Sequence, residues 1–197
     1  MLFRSVEEYA ALRERRDGMQ QQSLDLEAAE ADLQRIIEDL TKRMRAQFVA
    51  GMAELNRHFE RVFARLFRGG SASLLLQDEH DPLSSGIDIV AQLPGKKTQL
   101  LSLLSGGERA LTAIAILFAM LCVKPTPFCI LDEIEAALDE ANIATFADVL
   151  AEFSQDTQFI VVTHRKGTME RCDGLYGIAM EEKGVSRLVS VRLAEVS

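Results

Sequence analysis

The chain has 197 residues, 48% of them hydrophobic, enough to build one medium domain or a domain with an appendage around a packed core. A net charge of −8 excludes a uniformly basic nucleic-acid binder but leaves room for a local basic patch. The three cysteines, Cys122, Cys129 and Cys172, form no CxxC pair, and the opening MLFRSVEEYA has no apolar run of signal-peptide length, so reduced, buried thiols in a cytoplasmic protein are expected.

Residues 5–67 contain no proline, and only Gly18 and Gly51 interrupt them, a pattern that predicts a long helix. Leu12, Met19, Leu26, Leu33 and Leu40 recur every seven residues. The companion seam has Tyr9, Ile37 and Met44 but is broken by Arg16, Ser23 and Glu30. Such a heptad seam needs a partner helix, and the rest of the chain offers none of that length. From Phe48 the apolar stripe broadens through Met52, Leu55, Phe59, Val62, Phe63 and Leu66, as in a helix packed on a globular body. Arg57, Arg61, Arg65 and Arg68, spaced by 4, 4 and 3, share the opposite stripe of the predicted helix.

The glycines of RGGSAS end that helix. ASLLLQ (72–77) and GIDIVAQL (86–93) predict a β-hairpin around the polar loop DEHDPLSS, to which no metal is assigned, and PGKKTQ is a turn. ALTAIAILFAMLCV (110–123) has 14 residues against the roughly 20 of a membrane span, so it belongs to a core helix over about 106–122. A strand at 127–131, a helix at 140–153 and a strand at 158–162 make a βαβ unit with parallel strands and a right-handed crossover. LYGIAM (175–180) and SRLVSVRL (186–193) predict a final hairpin.

Three stretches carry chemistry. FCILDE ends an apolar strand, expected to be buried on both faces of a mainly parallel sheet, in Asp132 and Glu133. A carboxylate at a strand's carboxyl end can hold Mg²⁺ through water, and the next one can polarise an attacking water; the bland alternative is a solvated acidic turn. LLSGGERAL fits a capping box, Ser105 at the N-cap and Glu108 at N3, with Gly106 and Gly107 leaving N–H groups open to an anion such as a terminal phosphate. On those residues alone the plain capped helix is the stronger reading. FIVVTH ends the second strand at His164, which can converge with Asp132 at one sheet edge and meet a phosphate or a water. A phosphate-binding loop, GxxxxGK followed by Ser or Thr, is missing: PGKKT has Val90 where the first Gly belongs and Lys97 where Ser or Thr belongs. The chain carries the metal and hydrolysis end of a nucleotide site without the phosphate cradle, and one strand of a coiled coil without the other.

In this order and spacing, LLSGGERAL, FCILDEIEAALDEAN and TQFIVVTHRKGTME resemble the C-terminal head segment of an SMC protein of the bacterial condensin type. The likeness covers nearly the whole chain and implies an α/β fold, the C-terminal half of an ABC-type ATPase head with a mainly parallel sheet and flanking hairpins. Residues 1–47 would be the base of the descending coiled-coil helix and 48–197 the C-terminal lobe. By the resemblance Asp132 helps hold Mg²⁺, Glu133 is the general base, and Ser105, Gly106, Gly107 and Glu108 are the signature motif that contacts ATP on the opposite head. Ala137, Leu138 and Asp139 match the D-loop and His164 the switch histidine. The implied cofactors are ATP and Mg²⁺. The implied partners are the N-terminal head segment, a second head in an ATP-dependent homodimer, a kleisin subunit and, through the arginine stripe, DNA without sequence preference. No membrane is implied, and the expected location is the cytoplasm, at the nucleoid. The rivals are an ABC transporter subunit, another coiled-coil ABC ATPase of DNA repair, and a catalytically inert kleisin-binding scaffold.

Overall fold

A computed structural model describes residues 2–182 and 184–192. The chain forms two compact units, Met1–Val49 and Ala50–Ser197. Helix α1 (Leu2–Leu66) contributes to both. In its first part the heptad residues Leu12, Met19, Leu26, Leu33 and Leu40 are all exposed, as are Tyr9, Ile37 and Met44.

The last turns of α1 behave differently. Phe59, Val62, Phe63 and Leu66 are buried in a core shared with the second unit's strands and helices. Phe63 stacks on Phe67 at 4.2 Å between ring centres. The helix stops in a Schellman arrangement: Gly69 N–H donates to the Ala64 carbonyl at 2.7 Å and Arg68 N–H to that of Arg65 at 3.2 Å. Arg68 adopts the left-handed conformation usually left to glycine, with φ of 54°. Gly70 follows at φ of 79°, and a Cβ there would collide with the Gln92 carbonyl oxygen.

Strands β1 (Ser71–Leu76) and β2 (Ile87–Gln92) form the expected antiparallel hairpin, extended by the two-residue β3 (Gln99–Leu100). Asn56 of α1 clasps β1 by donating to the Leu74 carbonyl at 2.9 Å and accepting from its N–H at 2.7 Å. A 3-10 turn (Leu101–Leu103) leads to α2 (Gly106–Val123). Helix α2 is the centre of the core, with Leu111, Thr112, Ile114, Ala115, Phe118, Ala119 and Leu121 buried. Phe118 meets the rings of Phe146, Phe153 and Phe159 at 6.2, 4.8 and 6.0 Å. Truncating such a residue to alanine costs about 3–5 kcal/mol.

Strands β4 (Phe128–Asp132) and β5 (Gln158–Val162) pair in parallel, connected through α3 (Glu140–Phe153). A single helical turn, α4 (Lys166–Met169), leads to the antiparallel pair β6 (Gly174–Glu182) and β7 (Val185–Arg192). Residue 193 of the expected last strand lies outside the described residues.

Three expectations are corrected here. The described strands make three separate sheets of three, two and two strands, and only the β4–β5 pair is parallel. The apolar run of β4 is covered on one face only: Leu131 is buried and Cys129 half-buried, while Phe128 and Ile130 are exposed. Side chains alternate along a strand, so a run apolar on both faces finds a core on one side and, among the described residues, no cover on the other. The thiols of Cys122, Cys129 and Cys172 are free but half-buried rather than fully buried. Burial, with the charges of Asp173 and Glu135, raises the Cys172 pKa above its ordinary value.

Candidate active site

Asp132 is the last residue of β4, and its carboxylate is exposed. Glu133 continues the ladder by one bond, its N–H donating to the Val162 carbonyl at 3.0 Å. It then turns out of the strand with φ of 46°, a left-handed conformation that costs a non-glycine residue about 1–3 kcal/mol and clusters at functional positions. His164 follows the end of β5, and its Nδ1 lies 3.4 Å from Glu133 Oε1. Parallel pairing sets this meeting, because it aligns Asp132 with Val162 and puts both following loops at one sheet edge. Both side chains are open to solvent, so a ligand can reach them, and a contact this long can tighten once a substrate is bound.

Behind that pair lies Glu135, which nothing in the sequence marks as a site residue. It is fully buried. Its Oε1 accepts from the Thr163 hydroxyl and, at 3.3 Å, from the Thr168 hydroxyl. The side chain of Arg165 donates to the Ala136 carbonyl at 2.8 Å. A glutamate between Ile134 and two alanines followed by distant threonines carries no recognisable spacing; only the fold brings these residues together.

The second half of the site is the N-terminus of α2. The capping box is formed: Ser105 Oγ accepts from the Glu108 N–H at 3.4 Å, and Glu108 accepts from the Ser105 N–H at 2.9 Å. Lys96, from the turn rejected above as a phosphate loop, donates to Glu108 Oε1 at 2.7 Å. The Lys96 hydrogen bond, then that from the Ser105 backbone, holds the Glu108 carboxyl below its ordinary value. Nothing lies within 4 Å of a Cβ placed on Gly106, whereas one on Gly107 would meet the Ala137 carbonyl oxygen at 3.1 Å. Gly106 therefore leaves the helix end open to an anion, and Gly107 lets the segment 136–138 approach the helix. Asp139 is the N-cap of α3, accepting from the Asn142 N–H at 2.8 Å.

Folding shortens the arginine stripe: Arg57, Arg61 and Arg65 stay exposed on α1. The helix ends at Leu66, so Arg68 leaves the stripe and donates to Thr145 Oγ1 at 2.9 Å. Arg65 pairs with Glu152, and Arg61 contacts His58 at 3.1 Å and the Cys122 sulfur at 3.8 Å.

A family model described as RecF/RecN/SMC N terminal domain matches residues 7–187. The chain belongs to the SMC family of ATPases. The chromosome partition protein Smc of Desulfitobacterium hafniense is 56% identical over 189 residues, which are 96% of this chain and 16% of that protein. The chain thus spans about one sixth, 16%, of the curated SMC relatives it matches. The Smc head domain with an extended coiled coil from Pyrococcus furiosus, solved with the C-terminal domain of ScpA, shares 36% identity. It aligns with a TM-score of 0.76 over 99% of this chain and 49% of that one. A structure from work on ATP-driven dimerization and DNA-stimulated activation of SMC ATPases shares 40% identity. Its TM-score is 0.71 over 77% of this chain and 92% of that one. The fold is that of an SMC head domain.

The SMC family implies nucleotide binding, and the donor set fits it. Among the described residues no three His, Cys, Asp or Glu side chains converge to hold a metal by themselves. Mg²⁺ is suited to that arrangement, because it takes one or two carboxylates and completes its shell with water and phosphate oxygens. Asp132 can supply one such carboxylate, and the open end of α2 can receive an anion.

Proposed function

We propose that the chain is the C-terminal segment of an SMC ATPase head and supplies the signature motif, the Asp–Glu pair, the D-loop and the switch histidine to a composite ATP site. The observation that carries this reading is the bare face of the parallel pair. Phe128, Ile130, Ile160 and Val162 are 56, 60, 49 and 51% exposed beside the edge that bears Asp132 and Glu133. Parallel strands are covered on both faces in folded proteins, so another segment belongs there. The motifs say which: this chain has the groups that act on the terminal phosphate and lacks GxxxxGK, which the resemblance assigns to the N-terminal segment.

In that site Asp132 would help hold Mg²⁺, which would supply positive charge against the phosphates. Glu133 orients and polarises the attacking water, and takes up its proton on the carboxylate. His164, against Glu133 Oε1, orients that carboxylate and faces the terminal phosphate. Ser105 and the N–H groups of the first turn of α2 receive the terminal phosphate of ATP held by a facing head. Asp139, at the start of α3, sits where the two heads meet.

The chain without a phosphate loop should hydrolyse ATP negligibly. Co-expression with the N-terminal head segment should restore turnover, and Glu133→Gln should then abolish it while preserving ATP-dependent pairing of heads. Turnover by this chain alone that depends on Glu133 would overturn the assignment.

A second role, as a platform for a kleisin, has its own support. Tyr176, Ile178 and Met180 alternate along β6 and are all exposed, the kind of apolar strand surface that a protein partner covers. The P. furiosus head was solved with the C-terminal domain of ScpA. A kleisin C-terminal domain that ignores the complete head in a pull-down would remove this role. DNA binding, a property of the relatives' activation, would rest on Arg57 and Arg61 rather than on four arginines. An unchanged salt dependence of DNA binding in the Arg57→Glu/Arg61→Glu head would remove them too.

A further inference from the structure

Glu135 is the one fully buried charged side chain among the described residues; Asp132, Glu133, Asp139 and Glu140 around it are all exposed. A carboxylate taken out of water is costly unless it is hydrogen-bonded, and an apolar side chain of similar volume often serves packing as well or better. Its chemistry therefore asks for a reason beyond the core. Its partners supply one. Thr163 and Thr168 donate their hydroxyls to Glu135 Oε1, one from each side of His164 in sequence. Thr163 Oγ1 in turn accepts from the Arg165 N–H at 2.9 Å, and Arg165 reaches back to the Ala136 carbonyl at 2.8 Å. Residues 163–165 lie between β5 and α4, outside any helix or strand. The turn that bears His164 is thus gripped by two consecutive residues, Glu135 and Ala136, of the loop that bears Glu133.

We propose that Glu135 is a positioning residue: its buried carboxylate fixes the Thr163–Arg165 turn so that the His164 imidazole stays against Glu133. The inference rests on the reading above, in which Glu133 and His164 act on bound ATP. Glu135 Oε2 has no partner among the described residues, so the hold is concentrated on Oε1. That asymmetry gives a sharp test. Glutamine can place its carbonyl oxygen where Oε1 sits and keep both hydroxyl bonds, whereas methionine keeps the volume and loses them.

In the complete head, reconstituted with the N-terminal segment, Glu135→Met should lower kcat by about tenfold or more, because a small misplacement of a catalytic group is costly. KM and ATP-driven head pairing should stay within about twofold, and Glu135→Gln should retain kcat within about threefold. Combined with His164→Ala, Glu135→Met should add almost nothing to the loss His164→Ala causes alone, since both would act through one imidazole. A purely structural role would give additive losses and a fall in pairing. Wild-type kcat in Glu135→Met, or additive losses in the double variant, overturns the proposal. If Glu135→Met does not fold, Thr163→Val and Thr168→Val remove the same bonds one at a time and carry the same expectation. Glu133→Gln and His164→Ala in the same assay separate the two ideas. If they leave kcat unchanged, the reading of the site fails; if they lower it and Glu135→Met does not, only the positioning role fails.

Discussion

At the ends of β4 and β5, the loops bearing Glu133 and His164 are tied together by a buried carboxylate, whereas the N-terminus of α2 is held by a capping box and the Lys96–Glu108 pair, both exposed. The first arrangement depends on long-range packing and includes a strained backbone at Glu133. The second is made within one helical turn and one neighbouring loop. Buried hydrogen-bonded networks tolerate little change, because each lost partner leaves a polar group unpaired in low dielectric. Exposed caps and ion pairs exchange readily with water and each contributes about 1 kcal/mol or less. The difference fits the roles proposed: a catalytic edge that must be held in place, and a helix end that must stay open to a phosphate arriving on another head.

The largest effect should come from blocking that open end. Ser105→Arg places a long side chain where the facing ATP would lie while leaving the β4–β5 edge untouched. ATP binding by the reconstituted head should persist, and ATP-driven dimerisation, followed by size-exclusion chromatography or crosslinking, should be lost. Normal dimerisation would show that the end of α2 is only a cap.

Next in size is Asp132→Ala. Removing a carboxylate that helps hold Mg²⁺ should weaken Mg²⁺-dependent nucleotide binding by about tenfold, the scale of one charged contact. Dimerisation through α2 should suffer only in proportion to the ATP lost. A magnesium titration with the same midpoint in wild type and variant would place the metal elsewhere.

How far the two halves could be read in the sequence differs for the same reason. Ser105 and Glu108 are three residues apart, and a capping box is local, so the pattern specifies its own geometry. The α3 boundaries at Glu140 and Phe153 and the β5 boundaries at Gln158 and Val162 were equally legible, because hydrophobic periodicity and the capping Asp139 are local too. The meeting of Glu133 and His164 required only the inference that β4 and β5 are parallel neighbours. Glu135, Thr163 and Thr168 span 33 residues, and nothing in their types marks them as partners. Lys96 lies in a turn by sequence, and its pairing with Glu108, 12 residues on, has no local signal for the same reason. The arginine stripe is cut at a boundary: the helix ends at Leu66, three residues before the first glycine, which leaves Arg68 outside it, and no local pattern shows that Glu152 faces Arg65. The bare face of β4 is not legible in the sequence, because an apolar run shows that both faces are apolar and not whether this chain covers both.

The smallest effect should belong to Lys96→Ala, and it tests whether the exposed half is as tolerant as its construction implies. The Lys96 hydrogen bond is the main cause of the lowered Glu108 pKa, with the Ser105 N–H second. A carboxyl whose pKa is lower folded than unfolded contributes stability that is present above its ordinary pKa and disappears as pH falls through the folded value. At neutral pH, then, Lys96→Ala should destabilise the complete head by no more than about 1 kcal/mol, since the lysine is half-exposed. Glu108 should also lose its charge at a higher pH in the variant, so the difference between the two proteins should shrink as the solution is acidified and vanish once Glu108 is protonated in both. Denaturant titrations at neutral pH and at steps through the acid range measure this directly. ATP-driven dimerisation should be nearly unchanged, because Ser105 and the N–H groups of Gly106 and Gly107 remain in place. A gap between the proteins that widened toward low pH would mean that Lys96 acts on something other than the ionised Glu108. A loss of dimerisation comparable to that of Ser105→Arg would mean that the lysine itself meets the phosphate, and that the two halves of the site are less different than their hydrogen bonds make them.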